Sequence, residues 1–200
     1  MYNVRMKKIT REEIVQTACA LFQQKGFDAV SLDEVCRECG ISKPTFYNYI
    51  PSKEAILTDY YDRVCQDIML HFGSIYQMNT YYEQFCLFYD MIIDSSIQLG
   101  AALISKMLSL NLQKDAHSFE TREHLTEIVI HLIEKGQRAG EFTADVSATD
   151  LYDAVNFVFL GLELKWAVKQ GQIDWKGEFH RITDGLLQVR GKEARHGTDL

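Results

Sequence analysis

Proline is nearly absent from this chain, with two residues in 200. So few helix breakers make long helices the first expectation. Twelve glycines are too few for a collagen-like repeat, and a 46% hydrophobic content excludes a disordered chain. Five cysteines, at 19, 36, 39, 65 and 86, are too sparse for a disulfide scaffold, and an odd number cannot all pair. All five fall inside helical patterns, where a reducing compartment leaves a buried thiol acting as a small hydrophobe. The longest runs without an acidic or basic residue, such as 68–82 and 95–105, contain polar residues. They fall short of the roughly 20 apolar residues a bilayer helix needs. Arg5, Lys7 and Lys8 are followed by no apolar segment, so no signal peptide is expected and the expected location is cytoplasmic. Enzyme signatures are also missing. The chain has no Gly-rich phosphate loop, no G-x-S-x-G and no H-E-x-x-H, so neither catalysis nor a cofactor is expected.

A net charge of −7 argues by itself against nucleic acid, but the charge is unevenly spread. Residues 1–60 hold eight basic and eight acidic side chains; residues 61–200 hold thirteen and twenty. The acid excess lies in the C-terminal two-thirds, leaving the N-terminal segment free to present a local basic face.

That segment reads as short helices. Ile14, Ala18, Leu21 and Phe22 recur at helical spacing behind Thr10, Glu12 and Glu13, and Lys25-Gly26 closes the helix. Ser31-x-x-Glu34 is a capping-box signature opening a helix from Leu32 to about Glu38. Ser42 caps a third helix, with Pro44 in its first turn, which stops before Pro51. Ser52 is expected to cap a fourth, longer one through Ile68. Beyond Gly73 the pattern predicts amphipathic helices over roughly 80–99, 101–113, 119–139, 148–170 and 174–189, about nine in all. Residues 191–200 are a polar tail. The expected class is all-α.

Two short helices joined by Glu38-Cys39-Gly40-Ile41 make a helix-turn-helix pattern. Small residues stand where the helices cross (Cys36, Cys39), a glycine permits positive φ in the turn, and Ile41 plugs it. The second helix, Ser42-Lys43-Pro44-Thr45-Phe46-Tyr47-Asn48-Tyr49, is polar and free of acid, which suits a major groove. Phe46 is expected in the core. Lys53, at the next helix start, is placed to hold a phosphate together with free backbone N–H groups.

The order Ile14-x-x-x-Ala18-x-x-Leu21-Phe22-x-x-x-Gly26-Phe27, then Ser31-x-x-x-Val35-Cys36-x-x-Cys39-Gly40-Ile41-Ser42-Lys43-x-Thr45-Phe46-Tyr47-x-Tyr49-Ile50-Pro51-Ser52-Lys53-Glu54, resembles the TetR family of bacterial transcriptional regulators over residues 10–57. It departs from the family pattern at Cys36 and Cys39 (usually alanine), Cys19 (leucine), Asn48 (histidine) and Ile50 (phenylalanine). These changes leave the fold in place and bear on operator preference. The resemblance implies a homodimeric repressor-like switch, released from a palindromic operator by a small, partly apolar effector. It implies a helix-turn-helix DNA-binding domain over 1–52 and an effector-binding and dimerisation domain over 53–190. By position, Ser42, Lys43, Pro44, Thr45 and Asn48 resemble base-facing and groove-edge residues. Ser31, Thr45, Tyr47, Tyr49 and Lys53 resemble backbone contacts, and Arg5, Lys7 and Lys8 a minor-groove arm.

The rest of the chain offers weaker signals. Phe88 and Tyr89, in an aromatic-rich helix, and Met107 suit an apolar effector pocket, with His131 (and His124) and Asn156 as polar anchors. Leu151, Val155, Val158, Leu162 and Trp166, with Phe179, Ile182, Leu186 and Val189, recur near 3.6 spacing and are expected at a four-helix dimer interface. Cys36-x-x-Cys39 lacks further nearby ligands for zinc, so no metal is expected. Two alternatives keep the helical fold: an oxidation sensor acting through Cys36 and Cys39, and an interaction module without DNA binding.

Overall fold

The structure, a computed structural model, describes residues 9–113 and 123–191. The basic arm of Arg5, Lys7 and Lys8, and the tail beyond 191, lie outside the described residues. Ten helices are described, and no strands accompany them among the described residues. The helix absent from the sequence reading is a single turn and a half, Phe72–Tyr76, which includes Gly73. It continues the preceding helix after His71 and is too short to show a period.

The head comprises α1 (Arg11–Lys25), α2 (Leu32–Glu38) and α3 (Lys43–Tyr49). Each begins on a side-chain cap. Thr10 and Glu13 form a reciprocal capping box, and Ser31 accepts from the Glu34 N–H at 3.2 Å. Ser42 accepts from the Thr45 N–H at 3.3 Å. Between α2 and α3, Gly40 has φ +65°, a left-handed value that a β-carbon would strain. The turn is closed by the Ile41 N–H donating to the Cys36 carbonyl at 2.9 Å. Ile14, Ala18, Phe22, Val35, Phe46 and Ile50 fill the head's core.

The body comprises α4 (Ala55–Leu70), α5 (Phe72–Tyr76), α6 (Tyr81–Leu99), α7 (Ala101–Gln113), α8 (Glu123–Arg138), α9 (Ala148–Val168) and α10 (Trp175–Leu187). Ser52 does cap the α4 turn, since its hydroxyl accepts from the Ala55 N–H at 3.1 Å. The regular helix starts at Ala55, three residues after the capping serine. α6 is central, packing on α4, α7, α8 and α10, while α9 packs on α7, α8 and α10. Tyr89 of α6 lies 4.7 Å ring to ring from Phe179 of α10, and Phe159 of α9 lies 5.3 Å from Trp175. These aromatic pairs pin three helices together. α6 and α7 meet at Gly100 with a bend of 100°, which brings the corner against the head. There the Gln23 side-chain amide donates to the Gln98 and Leu99 carbonyls at 2.8 and 3.1 Å, and Lys106 pairs with Asp28 at 2.7 Å. Arg11 grips Asp59 of α4 through two bonds of 2.7 Å. Head and body are thus tied through both α4 and α7. No single helix among the described residues is long and apolar enough to cross a membrane.

Candidate functional site

α3 separates two kinds of side chain. Phe46 and Ile50 point inward and are fully buried; Ser42, Lys43, Pro44, Tyr47 and Asn48 are exposed, and Thr45 is half-buried. Tyr47 is 53% exposed, its ring edge-on to Phe46 at 5.6 Å, so it is braced from below while its hydroxyl faces out. The Ser42 and Thr45 hydroxyls lie 2.8 Å apart. Lys43 pairs with Asp33 of α2 at 2.9 Å, which raises the ammonium's pKa. Both partners are exposed, so the pair opens at little cost. Ser31 is exposed at the start of α2.

Two residues read as phosphate contacts have partners within the protein. The Tyr49 hydroxyl donates to the Ile9 carbonyl at 3.0 Å, holding the chain just before α1. Lys53 donates to the Phe27 carbonyl and sits over the Phe27 ring at 4.2 Å, with burial lowering its pKa. Both fix the edges of the head. Lys53 lies two residues ahead of the regular start of α4 at Ala55.

Cys36 is buried and Cys39 half-buried, and burial is the main force pushing both thiols up. That leaves less thiolate for oxidation chemistry. Among the described residues no group of three His, Cys, Asp or Glu side chains stands close enough to hold a metal ion.

Within the body lies a cavity of about 230 Å³ between α4, α6, α7, α8 and α9, open at the edge where Asp153 and Phe157 are exposed. Phe88, Tyr89, Met107 and Asn156 line it, as the sequence suggested. His131 does not. Its side chain is 57% exposed on the outer face of α8, with Glu134 at 3.7 Å, because Leu125, Val129 and Leu132 occupy the inward stripe. The side chain of His124 lies outside the described residues. The remaining walls include Tyr61 and Cys65 of α4 and Tyr152, Phe159 and Glu163 of α9. Glu163 escaped the sequence reading. It is 4% exposed, and burial raises its carboxyl to about 7. The signal was a lone acid between Leu162 and Leu164, seven residues after Asn156 and so on the same helix face. The Tyr89 hydroxyl is buried with no hydrogen-bond partner among the described residues.

The expected interface stripe on α9 and α10 needs correction. Leu151, Val155, Leu162, Trp166, Phe179 and Val189 are buried within the protomer. The outward apolar face of α9 is instead Phe157 (74% exposed), Leu164 and Val168, with Val158 beside it. Ile182 and Leu186 of α10 are half-buried. α9 is apolar almost all round, so the spacing that predicted one buried face is satisfied by two.

Residues 14–60 match the family model described as bacterial regulatory proteins, tetR family. The uncharacterized HTH-type transcriptional regulator YuxN of Bacillus subtilis is 27% identical over 169 residues, covering 80% of this chain. The HTH-type transcriptional regulator EthR of Mycolicibacterium smegmatis is 47% identical over 49 residues, 24% of this chain. The matched stretches span 57% of YuxN and 23% of EthR. Among solved structures, Thermus thermophilus FadR, a TetR-family repressor in complex with lauroyl-CoA, superposes with a TM-score of 0.66 at 22% identity. That alignment covers 94% of this chain and all of FadR's, and it establishes the shared fold.

Proposed function

The chain belongs to the TetR family of bacterial regulatory proteins, and from that premise we propose that it is a homodimeric repressor released from a palindromic operator by a ligand bound in the body. The carrying observation is α3: a polar, acid-free face held outward by the buried Phe46 and Ile50, after the Gly40 turn. Such a helix enters the major groove with Lys43, Pro44 and Asn48 toward base edges and Ser42 and Thr45 at the groove wall. Ser31 and Tyr47 reach phosphates on either side. Tyr49 and Lys53 act from behind, holding the N-terminal approach and the α1–α2 loop while a remaining donor of Lys53 meets the backbone.

Residues 1–52 form the DNA-binding unit in this reading, 53–190 the effector-binding and dimerisation unit, and 191–200 a polar tail. Two copies pair through the outward face of α9 and the neighbouring face of α10. Phe157, Leu164 and Val168 supply the apolar surface, and the exposed Gly161 and Gly185 permit close helix approach. A two-fold dimer places its two α3 helices about 34–36 Å apart, or a multiple of that, to read one face of a palindrome.

Ligand and DNA communicate through shared helices. Tyr61 and Cys65 line the cavity on α4, two and six residues after Asp59, which grips Arg11 of the head. Met107 lines it on α7, beside Lys106, which holds Asp28. A ligand that shifts α4 or α7 therefore shifts the heads. A coupling of about 1–3 kcal/mol weakens operator binding about 5–150-fold.

Selection from a random duplex library with purified, ligand-free protein tests the proposal. It predicts enrichment of a palindrome whose half-sites are one or two helical turns apart. Enrichment of a single asymmetric half-site contradicts the dimeric reading, and no enrichment contradicts DNA binding by the ligand-free state.

A further inference from the structure

We propose that the effector of this protein is a cationic amphiphile, an aromatic or alkyl amine whose charged nitrogen pairs with Glu163 and the Tyr89 hydroxyl while its apolar part fills the cavity. The inference rests on the reading of that cavity as the effector site and adds the chemical class.

Three observations carry it. The first is the charge of the wall: Glu163 lies inside and Asp153 at the exposed edge, with no lysine, arginine or histidine among the described lining residues. An anionic ligand would meet two carboxylates and no counter-charge, whereas a cation is compensated on entry. The second is the unsatisfied polarity. Glu163 is 4% exposed, its burial holding the carboxyl well above the ordinary carboxylate range, and the Tyr89 hydroxyl is buried and unpartnered among the described residues. Such groups are costly in an empty site, so a donor that satisfies them gains more than its contact area alone supplies. An ammonium offers several N–H donors, and the phenol and carboxylate oxygens both accept.

The third is the aromatic wall. Tyr61, Phe88, Tyr89, Tyr152 and Phe159 line the same cavity as Glu163. Aromatic faces attract a desolvated cation and tolerate a flat or flexible apolar body. The neighbouring Tyr152 hydroxyl is already engaged with Thr126 at 2.9 Å, so it holds the wall in place while the Tyr89 hydroxyl remains to bind.

Calorimetric titration of the full chain with three probes of one skeleton tests the proposal: 4-phenylbutylamine, 4-phenylbutan-1-ol and 4-phenylbutanoate. The amine should bind about tenfold or more tightly than the alcohol, and the carboxylate should bind most weakly. Glu163→Gln should remove the amine's advantage while leaving the alcohol's affinity within about twofold. Tyr89→Phe, which keeps the ring, should weaken the amine selectively even if the Gln variant fails to fold. Substituting His131, outside the cavity, should change neither. Equal binding of amine and alcohol, or preference for the carboxylate, overturns the cationic class and leaves the cavity an effector site. Failure of all three probes to bind overturns both.

Discussion

Tyr47 is the position where the proposed contact with DNA and the packing of the head separate. Its ring leans edge-on against Phe46, but about half of its surface faces solvent, and its loss leaves the buried Phe46 and Ile50 in place. Tyr47→Ala should weaken binding to the selected duplex about tenfold, the worth of one hydrogen bond to a charged oxygen. Anisotropy titration measures this; an unchanged affinity removes Tyr47 from the interface. Phe46→Ala differs in kind, costing the head about 3–5 kcal/mol in stability. Glu163 carries a second prediction. Folding raises its carboxyl from the ordinary 4.5 to about 7, so the folded chain holds a proton that the unfolded chain releases between those values. The stability this group contributes is complete below about pH 4.5 and is lost as pH rises through 7. Glu163→Gln should therefore be more stable than the wild type at pH 8, by up to about 3 kcal/mol, and match it near pH 4.5. The other titratable groups around the cavity, Tyr61, Cys65, Tyr89, Tyr152 and Asp153, are common to both proteins and cancel in that difference. Parallel urea-unfolding stabilities across this range would contradict the burial of the Glu163 carboxyl.

At the scale of elements, α8 shows how closely the body is fitted. Gly136 of α8 faces Phe142, and a β-carbon there would lie 2.3 Å from two carbons of the phenyl ring. Phe142 is fully buried and pairs by a single bridge with Val189, so it has little room to retreat. Gly136→Ala should cost about 1–3 kcal/mol by overpacking, whereas Gly73→Ala, exposed on α5 with no atom within 4 Å of the added carbon, should cost nothing and gain helix propensity. Thermal unfolding of the two variants distinguishes them. Elements of this kind are unequally legible in sequence. The head's cap at Ser42 and its Gly40 turn follow from rules acting over three or four residues and stand as expected, whereas at Ser31 only the serine half of the capping box forms, the Glu34 carboxylate pairing with Lys25 instead, and the full box is at Thr10 with Glu13. α9 was misread because its residues are apolar on two sides, and only tertiary packing decides that Leu162 turns in and Leu164 out. His131 was misplaced although the α8 stripe of Leu125, Val129 and Leu132 puts it on the opposite side. Phe88, Tyr89, Met107 and Asn156 were found by residue type, yet nothing local said that α4 would contribute Tyr61 and Cys65.

For the molecule as a whole, the proposed function depends on two heads held at a fixed spacing by a dimer whose geometry the ligand alters. Leu164 is exposed, apolar and outside the cavity. Leu164→Asp should weaken dimerisation in sedimentation experiments, leave helix content unchanged, and lose cooperative binding to the full palindrome while a half-site is still bound weakly. In that reading the chain's negative charge leaves DNA binding to local contacts by α3 and its flanks rather than to the field of the whole protein. The most direct test of the central claim is therefore the affinity of ligand-free wild-type protein for its selected palindrome, measured across salt concentrations. A dimer anchored through several phosphates per head predicts a steep linear fall of log affinity with log salt, and a shallower slope for Tyr47→Ala. A salt-independent affinity, or no measurable binding at low salt, would contradict the assignment of α3 as a DNA-reading helix.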